Sequence, residues 1–296
     1  MRILIAGATG QLARALTEGA ARRAGWELRA LERPILDLQN PSTLLRAIAA
    51  VRPHVVVNAA AYTAVDRAES EPDLAFAINR DGAGALAKAA ADHGLPIVHV
   101  STDYVFDGQK LAPYVETDAP APQGVYGRSK LAGEEQVAAA NPRSIILRTA
   151  WLHSPFGANF VKTMLRLTTE QPELSVVADQ RGNPTYAPHL ADVILALLPR
   201  LLEARPSEGL WGVYHAAGHG DTTWHGLAQE IIAAAAVHGR PRVPIRAITT
   251  EEYPTPARRP ANSRLSCAKL VRVFGVAMPP WEEGVRQCVD RLCAAA

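Results

Sequence analysis

Through residues 2–149 the chain alternates short apolar runs with longer stretches whose apolar residues recur at helical spacing. Arg2–Ala6, Trp26–Leu31, His54–Asn58, Leu95–Ser101 and Ser144–Thr149 read as strands. Gln11–Arg23, Pro41–Val51, Pro72–His93 and Tyr126–Ala140 read as the helices between them. A strand that reaches the next through a helix runs parallel to it, by a right-handed crossover. Val55-Val56-Val57 is apolar on both faces, which a strand tolerates when helices cover both sides of the sheet. The expected class is therefore α/β, a doubly wound parallel sheet.

After Thr149 the alternation loosens. Helices are expected near Asn159–Thr169, Pro188–Leu202, Trp224–Ala236 and Trp281–Cys293. Pro241, Pro244, Pro254, Pro256 and Pro260 predict connections built from loops. The net charge of +2 is scattered, and Arg258-Arg259 suits one small anion better than a nucleic-acid backbone, so no nucleic-acid partner is expected. Cys267, Cys288 and Cys293 lack C-x-x-C spacing and leave an odd thiol, so neither a disulfide framework nor a zinc site is indicated. The histidines show no ligand spacing either, so no metal is expected. No apolar run approaches the roughly 20 residues of a membrane span, and Met1–Gly7 runs straight into a strand. A cytoplasmic protein is expected.

Between the first strand and first helix stands Gly7-Ala8-Thr9-Gly10-Gln11-Leu12-Ala13. Gly7 permits a tight turn, Gly10 lets a diphosphate approach the backbone, and Ala13 lets the helix pack on the strand. The free N–H groups of the helix N-terminus would receive the diphosphate, so Gly7, Gly10, Gln11 and Leu12 are assigned to a dinucleotide. Past the second strand Glu32 suits ribose hydroxyls and Arg33 a 2′-phosphate, which leaves NADH and NADPH both open.

The fourth strand ends abruptly in Ser101-Thr102-Asp103-Tyr104, polar groups at the carboxyl edge where open α/β sheets bind ligands. Tyr126 and Lys130 share one helix face by their spacing. An ammonium close to a phenol favours the phenolate, so Lys130 is expected to lower the pKa of Tyr126 and fit it for proton exchange with a carbonyl/alcohol pair.

The glycine loop, the hydroxyl at the fourth strand's end and Tyr126-x-x-x-Lys130 together resemble the extended short-chain dehydrogenase/reductases. Separated motifs at Asn58–Asp66, Ser101–Gly108, Tyr126–Glu134, Arg148–Trp151, Asn159–Met164 and Arg259–Ser263 are similar to the dTDP-4-dehydrorhamnose reductase family. The resemblance implies a Rossmann-type sheet with a smaller C-terminal substrate-binding lobe. The NAD(P)-binding domain would span 1–150 plus roughly 185–215, and the lobe 151–184 and 216–296. It further implies hydride transfer from NADPH or NADH to C4 of a dTDP-4-keto-6-deoxy-L-sugar, the last step of dTDP-L-rhamnose formation.

By the same resemblance Tyr126 protonates the developing alkoxide, Lys130 holds the nicotinamide ribose, and Thr102 orients the carbonyl. Ala61, Tyr62 and Thr63 line the cofactor, and Asp37 and Leu38 contact the adenine. Asp103, Trp151 and Asn159 are assigned to the sugar nucleotide, and Lys162, Arg258 and Arg259 to its diphosphate. Tyr104 stands where related dehydratases carry a second carboxylate, which favours plain reduction. His153 replaces the family's tyrosine in the sugar pocket. Arg14-Ala15 replaces the glutamate through which some relatives bridge a metal, so a homodimer, if it forms, has no metal bridge. The alternatives are another extended reductase or epimerase of a nucleotide sugar, and a non-catalytic NADP-binding regulatory subunit.

Overall fold

The computed structural model describes residues 1–294. Strands β1 (Arg2–Ala6), β2 (Glu27–Leu31), β3 (Val55–Asn58), β4 (Ile97–Thr102) and β5 (Ser144–Thr149) join Gly212–His215 in a six-stranded parallel sheet of Rossmann type. The order is Gly212–His215, β5, β4, β3, β1, β2. The progression reverses beside β1, and that reversal opens a crevice at the carboxyl ends of β1 and β3.

The period of two in the strands decides which helices they meet. Ile3, Ile5, Val55 and Val57 pack into one core with helix α1 (Gln11–Ala21) and helix Ala187–Glu203. Leu4, Ala6 and Val56 point the other way, against α2 (Pro41–Val51) and helix Ala83–Asp92. β3 and β5 are buried at every position, as a doubly covered sheet demands.

The helix expected over Pro72–His93 is broken. It runs Pro72–Phe76, a π-helical turn Ala77–Gly82, then Ala83–Asp92. A Cβ on Gly82 would stand 2.5 Å from the Leu38 carbonyl oxygen, so the turn lies directly on the loop after β2. The wide turn also aims Asn79 inward: its Oδ1 accepts the Tyr62 N–H at 2.8 Å and its Nδ2 donates to Ser129 Oγ at 2.9 Å.

A further core gathers Val161, Leu165, Leu227, Ile231, Trp281 and Val285 from helices Phe160–Glu170, Trp224–Val237 and Trp281–Ala294. Within the region expected to be loops, Ile245–Ile248 forms a parallel pair with Leu174–Val177, and Ala268–Phe274 is a helix that ends at Gly275 with φ 68°. Residues 255–266 return as a strap over the first half of the chain. Asn262 N donates to the Gly108 carbonyl at 3.2 Å, and Ser266 N to the Tyr114 carbonyl at 2.8 Å. Gly108 has φ 79°, and a Cβ there would meet Pro260 at 2.4 Å.

Candidate active site

A cleft of about 720 Å³ runs along the carboxyl ends of the strands. One end is lined by Gly7, Gly10, Gln11 and Leu12, with Glu32, Arg33, Asp37 and Leu38 beyond them and Ala61 and Thr63 opposite. The other end is lined by Thr102, Asp103, Tyr126, Lys130 and Trp151. The structure thus brings most of the sequence-derived set into one cleft.

The glycine loop has the shape a diphosphate needs. Gly7 has φ 101°, and a Cβ there would sit 3.1 Å from the Ala60 backbone. Helix α1 begins at Gly10 without a side-chain cap and carries no acidic residue in its first turn. Its leading N–H groups and the positive end of its dipole therefore face the cleft unmatched. Thr9, which the sequence reading passed over although it sits inside the loop, donates both its N–H (3.2 Å) and its hydroxyl (2.7 Å) to the Glu32 carboxylate. Glu32 is thereby fixed against the loop.

At the far end, Thr102 accepts the Tyr104 N–H at 3.2 Å, capping the turn Asp103–Val105, and donates to Asp103 Oδ1 at 2.9 Å. The Thr102 hydroxyl thus caps the next turn, and Ser101, Thr102 and Asp103 all line the cleft. Asp103 is 2% exposed, its Oδ2 has no protein partner, and burial pushes its carboxyl up to about 6. Lys130 donates to the Val100 carbonyl at 2.7 Å, and burial brings its ammonium down to about 8 against the opposing pull of Glu134.

Tyr126 differs from expectation. Burial pushes its phenol up to about 12, the Thr102 hydroxyl pulls it down, and the Asp103 charge adds to the rise. Lys130 is turned to the β4 backbone, and its charge is not among the influences on the phenol. The phenol is therefore a firmly protonated group at neutral pH, suited to give a proton.

Trp151 lies at the end of β5 with φ 46°. Its indole stacks on Trp224 at 3.7 Å and 9°, and a Cβ on Gly182 would meet it at 2.4 Å on the opposite side. Nothing in the local sequence pairs these three residues. His153, which stands where the family commonly has a tyrosine, is buried, stacks on Tyr186 at 5.7 Å and does not line the cleft.

Five expected residues lie outside the cleft lining, among them Arg258, which is exposed. The Tyr62 hydroxyl donates to Glu71 at 2.5 Å, which turns the ring away, while Asn79 clamps its backbone. Asn159 caps helix Phe160–Glu170 and donates to Gln11 Oε1 at 2.9 Å, so it meets the glycine loop through a side chain. Lys162 reaches the Pro155 carbonyl at 3.5 Å. Arg259 forks onto Asp66, Nη1 to Oδ1 and Nη2 to Oδ2, both at 2.9 Å. That guanidinium is an ion-pair partner holding the strap, and its fork is already filled.

Among the described residues no group of three or more His, Cys, Asp or Glu side chains is placed to hold a metal ion, and no helix is long and apolar enough to cross a membrane.

The profile of the RmlD substrate binding domain matches residues 1–294. The chain is 49% identical to a dTDP-4-dehydrorhamnose reductase of Sinorhizobium fredii over 98% of this chain and 97% of that one. It is 40% identical to that of Escherichia coli K12, over 99% and 98%. A crystal structure of a dTDP-4-dehydrorhamnose reductase from Clostridium acetobutylicum superposes with a TM-score of 0.91 at 39% identity, covering 99% of both chains. One from Bacillus anthracis, in complex with NADP, gives 0.89 at 37% identity over 98% and 99%.

Proposed function

The chain belongs to the RmlD substrate binding domain family, and from that premise we propose that it is an oxidoreductase that reduces dTDP-4-dehydro-L-rhamnose to dTDP-L-rhamnose with NADPH or NADH. The single observation that carries the reading is the meeting of Thr102, Asp103, Tyr126 and Lys130 with the glycine loop in one cleft.

The loop fits a dinucleotide: glycines stand where a Cβ would crowd the backbone, and the first turn of α1 is uncapped. Gly7, Gly10, Gln11 and Leu12 would hold the diphosphate, Glu32 and Arg33 the adenosine ribose, Asp37 and Leu38 the adenine, and Lys130 the nicotinamide ribose. Bound there, the reduced nicotinamide supplies the hydride. The chain's own residues manage the proton. Tyr126 donates its phenolic proton to the oxygen at sugar C4 as negative charge grows there, and the high phenol pKa keeps that proton in place until then. Thr102 orients the carbonyl. In the free protein its hydroxyl donates to Asp103, and with substrate bound that O–H would turn to the sugar oxygen as a hydrogen bond while the Tyr126 proton is the one transferred. The stacked Trp151 and Trp224 form an apolar wall for the deoxysugar face and exclude water beside it.

In this reading the dinucleotide belongs to residues 1–150 with roughly 185–215, and the sugar to 151–184 and 216–296. Asn159 acts on the cofactor side through Gln11, Lys162 and Arg258 are the cations left for the sugar diphosphate, and Arg259 shapes the strap. The enzyme acts in the cytoplasm on a small dTDP-sugar and on no nucleic acid, and a homodimer, where it forms, has no metal bridge at Arg14-Ala15. Incubation with dTDP-4-dehydro-L-rhamnose and NADPH tests the proposal: stoichiometric NADPH oxidation with dTDP-L-rhamnose as product is expected. Tight NADPH binding without turnover would refute it in favour of a non-catalytic role.

A further inference from the structure

Behind the catalytic end of the cleft a buried polar chain leads to Lys130, and the reduction assigns no task to its other two members, Asn58 and His99. Asn58, His99 and Lys130 are 0%, 1% and 2% exposed. Ala60 N donates to Asn58 Oδ1 at 3.2 Å, which turns the Asn58 amide nitrogen onto His99 Nδ1 at 3.0 Å. An amide nitrogen only donates, so Nδ1 is the accepting nitrogen and the ring proton sits on Nε2. Nε2 faces Lys130 Nζ at 3.5 Å, while Nζ donates to the Val100 carbonyl at 2.7 Å. An ammonium in that position meets a second donor head-on, whereas a neutral amine would accept the N–H.

We propose that His99 is a positioning residue for Lys130: Asn58 locks its ring so that an N–H is turned onto the lysine nitrogen. The ring N–H then works against the ammonium on one side while the Val100 carbonyl accepts from it on another, and the two together set the direction of Nζ. The functional weight of this rests on the assignment of Lys130 to the nicotinamide ribose. Burial and the Lys130 charge hold His99 well below its ordinary range, so the ring stays neutral while it does this.

The other carboxylates and their partners around the helix that carries Lys130, Val125–Ala140, are neutralised or turned outward. On the helix itself Glu134 is tied to Arg148 of β5, and Glu135 is exposed. On the helices packed against it Arg80 pairs with Asp81, Lys88 with Asp92 and Arg67 with Glu71, and Asp73 is exposed. Asp66 pairs with Arg259, Glu69 accepts the Val125 N–H, and Asp103 is bonded to Thr102. His99 is the group that meets Nζ itself.

The tautomer is read directly by nitrogen NMR of histidine-labelled protein, with the His99 signal assigned by its loss in His99→Phe. A neutral ring with the proton on Nε2 is expected across pH 5 to 9; a proton on Nδ1 overturns the proposal. In Asn58→Asp the carboxylate still accepts from Ala60 N and draws the ring proton to Nδ1, so Nε2 becomes an acceptor for the ammonium. Carbon NMR of labelled lysine, with Lys130 assigned through Lys130→Arg, is expected to show its titration midpoint rising by about one pH unit or more, a tenfold gain in proton affinity. The alkaline limb of NADPH binding is expected to rise with it. In Asn58→Asp/His99→Phe, which keeps the charge and removes the ring nitrogens, less than half of that rise is expected to remain. A folded Asn58→Asp protein with an unmoved Lys130 midpoint, or an equal rise in the double variant, overturns the proposal. Should Asn58→Asp not fold, the wild-type tautomer decides alone. None of these readouts needs substrate, so absence of turnover on the dTDP-sugar would count against the reductase reading only.

Discussion

Glu134 lies one turn beyond Lys130, and its removal makes a prediction whose size follows from the contacts. Its carboxylate accepts Arg148 Nε at 2.9 and 3.1 Å, Arg148 Nη2 at 2.6 Å and the Ser101 hydroxyl at 2.5 Å. Both charged side chains are 4% exposed, and Arg148 Nη1 has no protein partner. Glu134→Ala strands a buried guanidinium, at a cost of about 3–5 kcal/mol. The Phe106 ring 5.0 Å from that guanidinium returns no more than about 2 kcal/mol. A domain of ordinary stability holds about 5–15 kcal/mol, so a large share is at risk. Replacing both charges, Glu134→Leu with Arg148→Met, leaves chiefly the Ser101 hydroxyl without its acceptor and is expected to cost about 1–2 kcal/mol. Equilibrium urea unfolding of Glu134→Leu, Arg148→Met and the double variant without cofactor gives the cycle, with an expected coupling of at least about 2 kcal/mol. Additive losses, or a Glu134→Ala loss below about 1 kcal/mol, would show that the pair is not a mutually dependent buried unit.

Tyr126→Phe is expected to lower kcat by on the order of 10²–10⁴ with the NADPH Kd unchanged; turnover within a factor of a few of wild type would remove the phenol from the proton transfer. Asp103 has a folded value near 6 against 3.8 for an ordinary carboxyl, so the native state holds the extra proton and stability falls as pH rises through that window. The fall is worth up to roughly 3 kcal/mol. Urea unfolding at pH 4 and pH 7 is expected to show it in wild type and not in Asp103→Asn; equal slopes refute it. Arg259→Ala and Asp66→Asn are each expected to raise the sugar KM about tenfold and leave NADPH affinity alone. The double variant is expected to be no worse than either single, because both break one pair; additive effects in steady-state kinetics would mean that Arg259 touches the substrate.

Periodicity made the sheet legible, because β3 and β5 are apolar on both faces and each is followed or preceded by a helix of ordinary length. The glycine loop and the Tyr126 helix were legible because their spacing carries chemistry within a few residues. What stayed hidden was set by partners far along the chain. The helical spacing of Pro72–His93 gives no sign of the π-turn, which answers to Leu38 on one side and Gly133 on the other. Trp224 and Gly182 meet Trp151 only after folding. Arg259 looked like an anion site from its guanidinium, and only the folded chain shows Asp66 across from it. The Lys130 effect on Tyr126 assumed proximity from helical spacing, which fixes a shared face but not where two long side chains point.

The strap over residues 255–266 also bears on the order in which the molecule assembles. Asn262 bonds the Lys110 carbonyl across 152 residues, and Arg259 bonds Asp66 across 193. Contacts so distant in sequence form late, because the loop they close must first be ordered. On the ribosome β1–β5 emerge first, and helix Ala187–Glu203 and Gly212–His215 follow to complete the sheet before the strap is synthesised. The glycine loop therefore takes shape early in synthesis, and the wall of the cleft near Asp66 closes only once residues 255–266 have been made. A chain cut short before residue 255 would keep the loop and lack the strap.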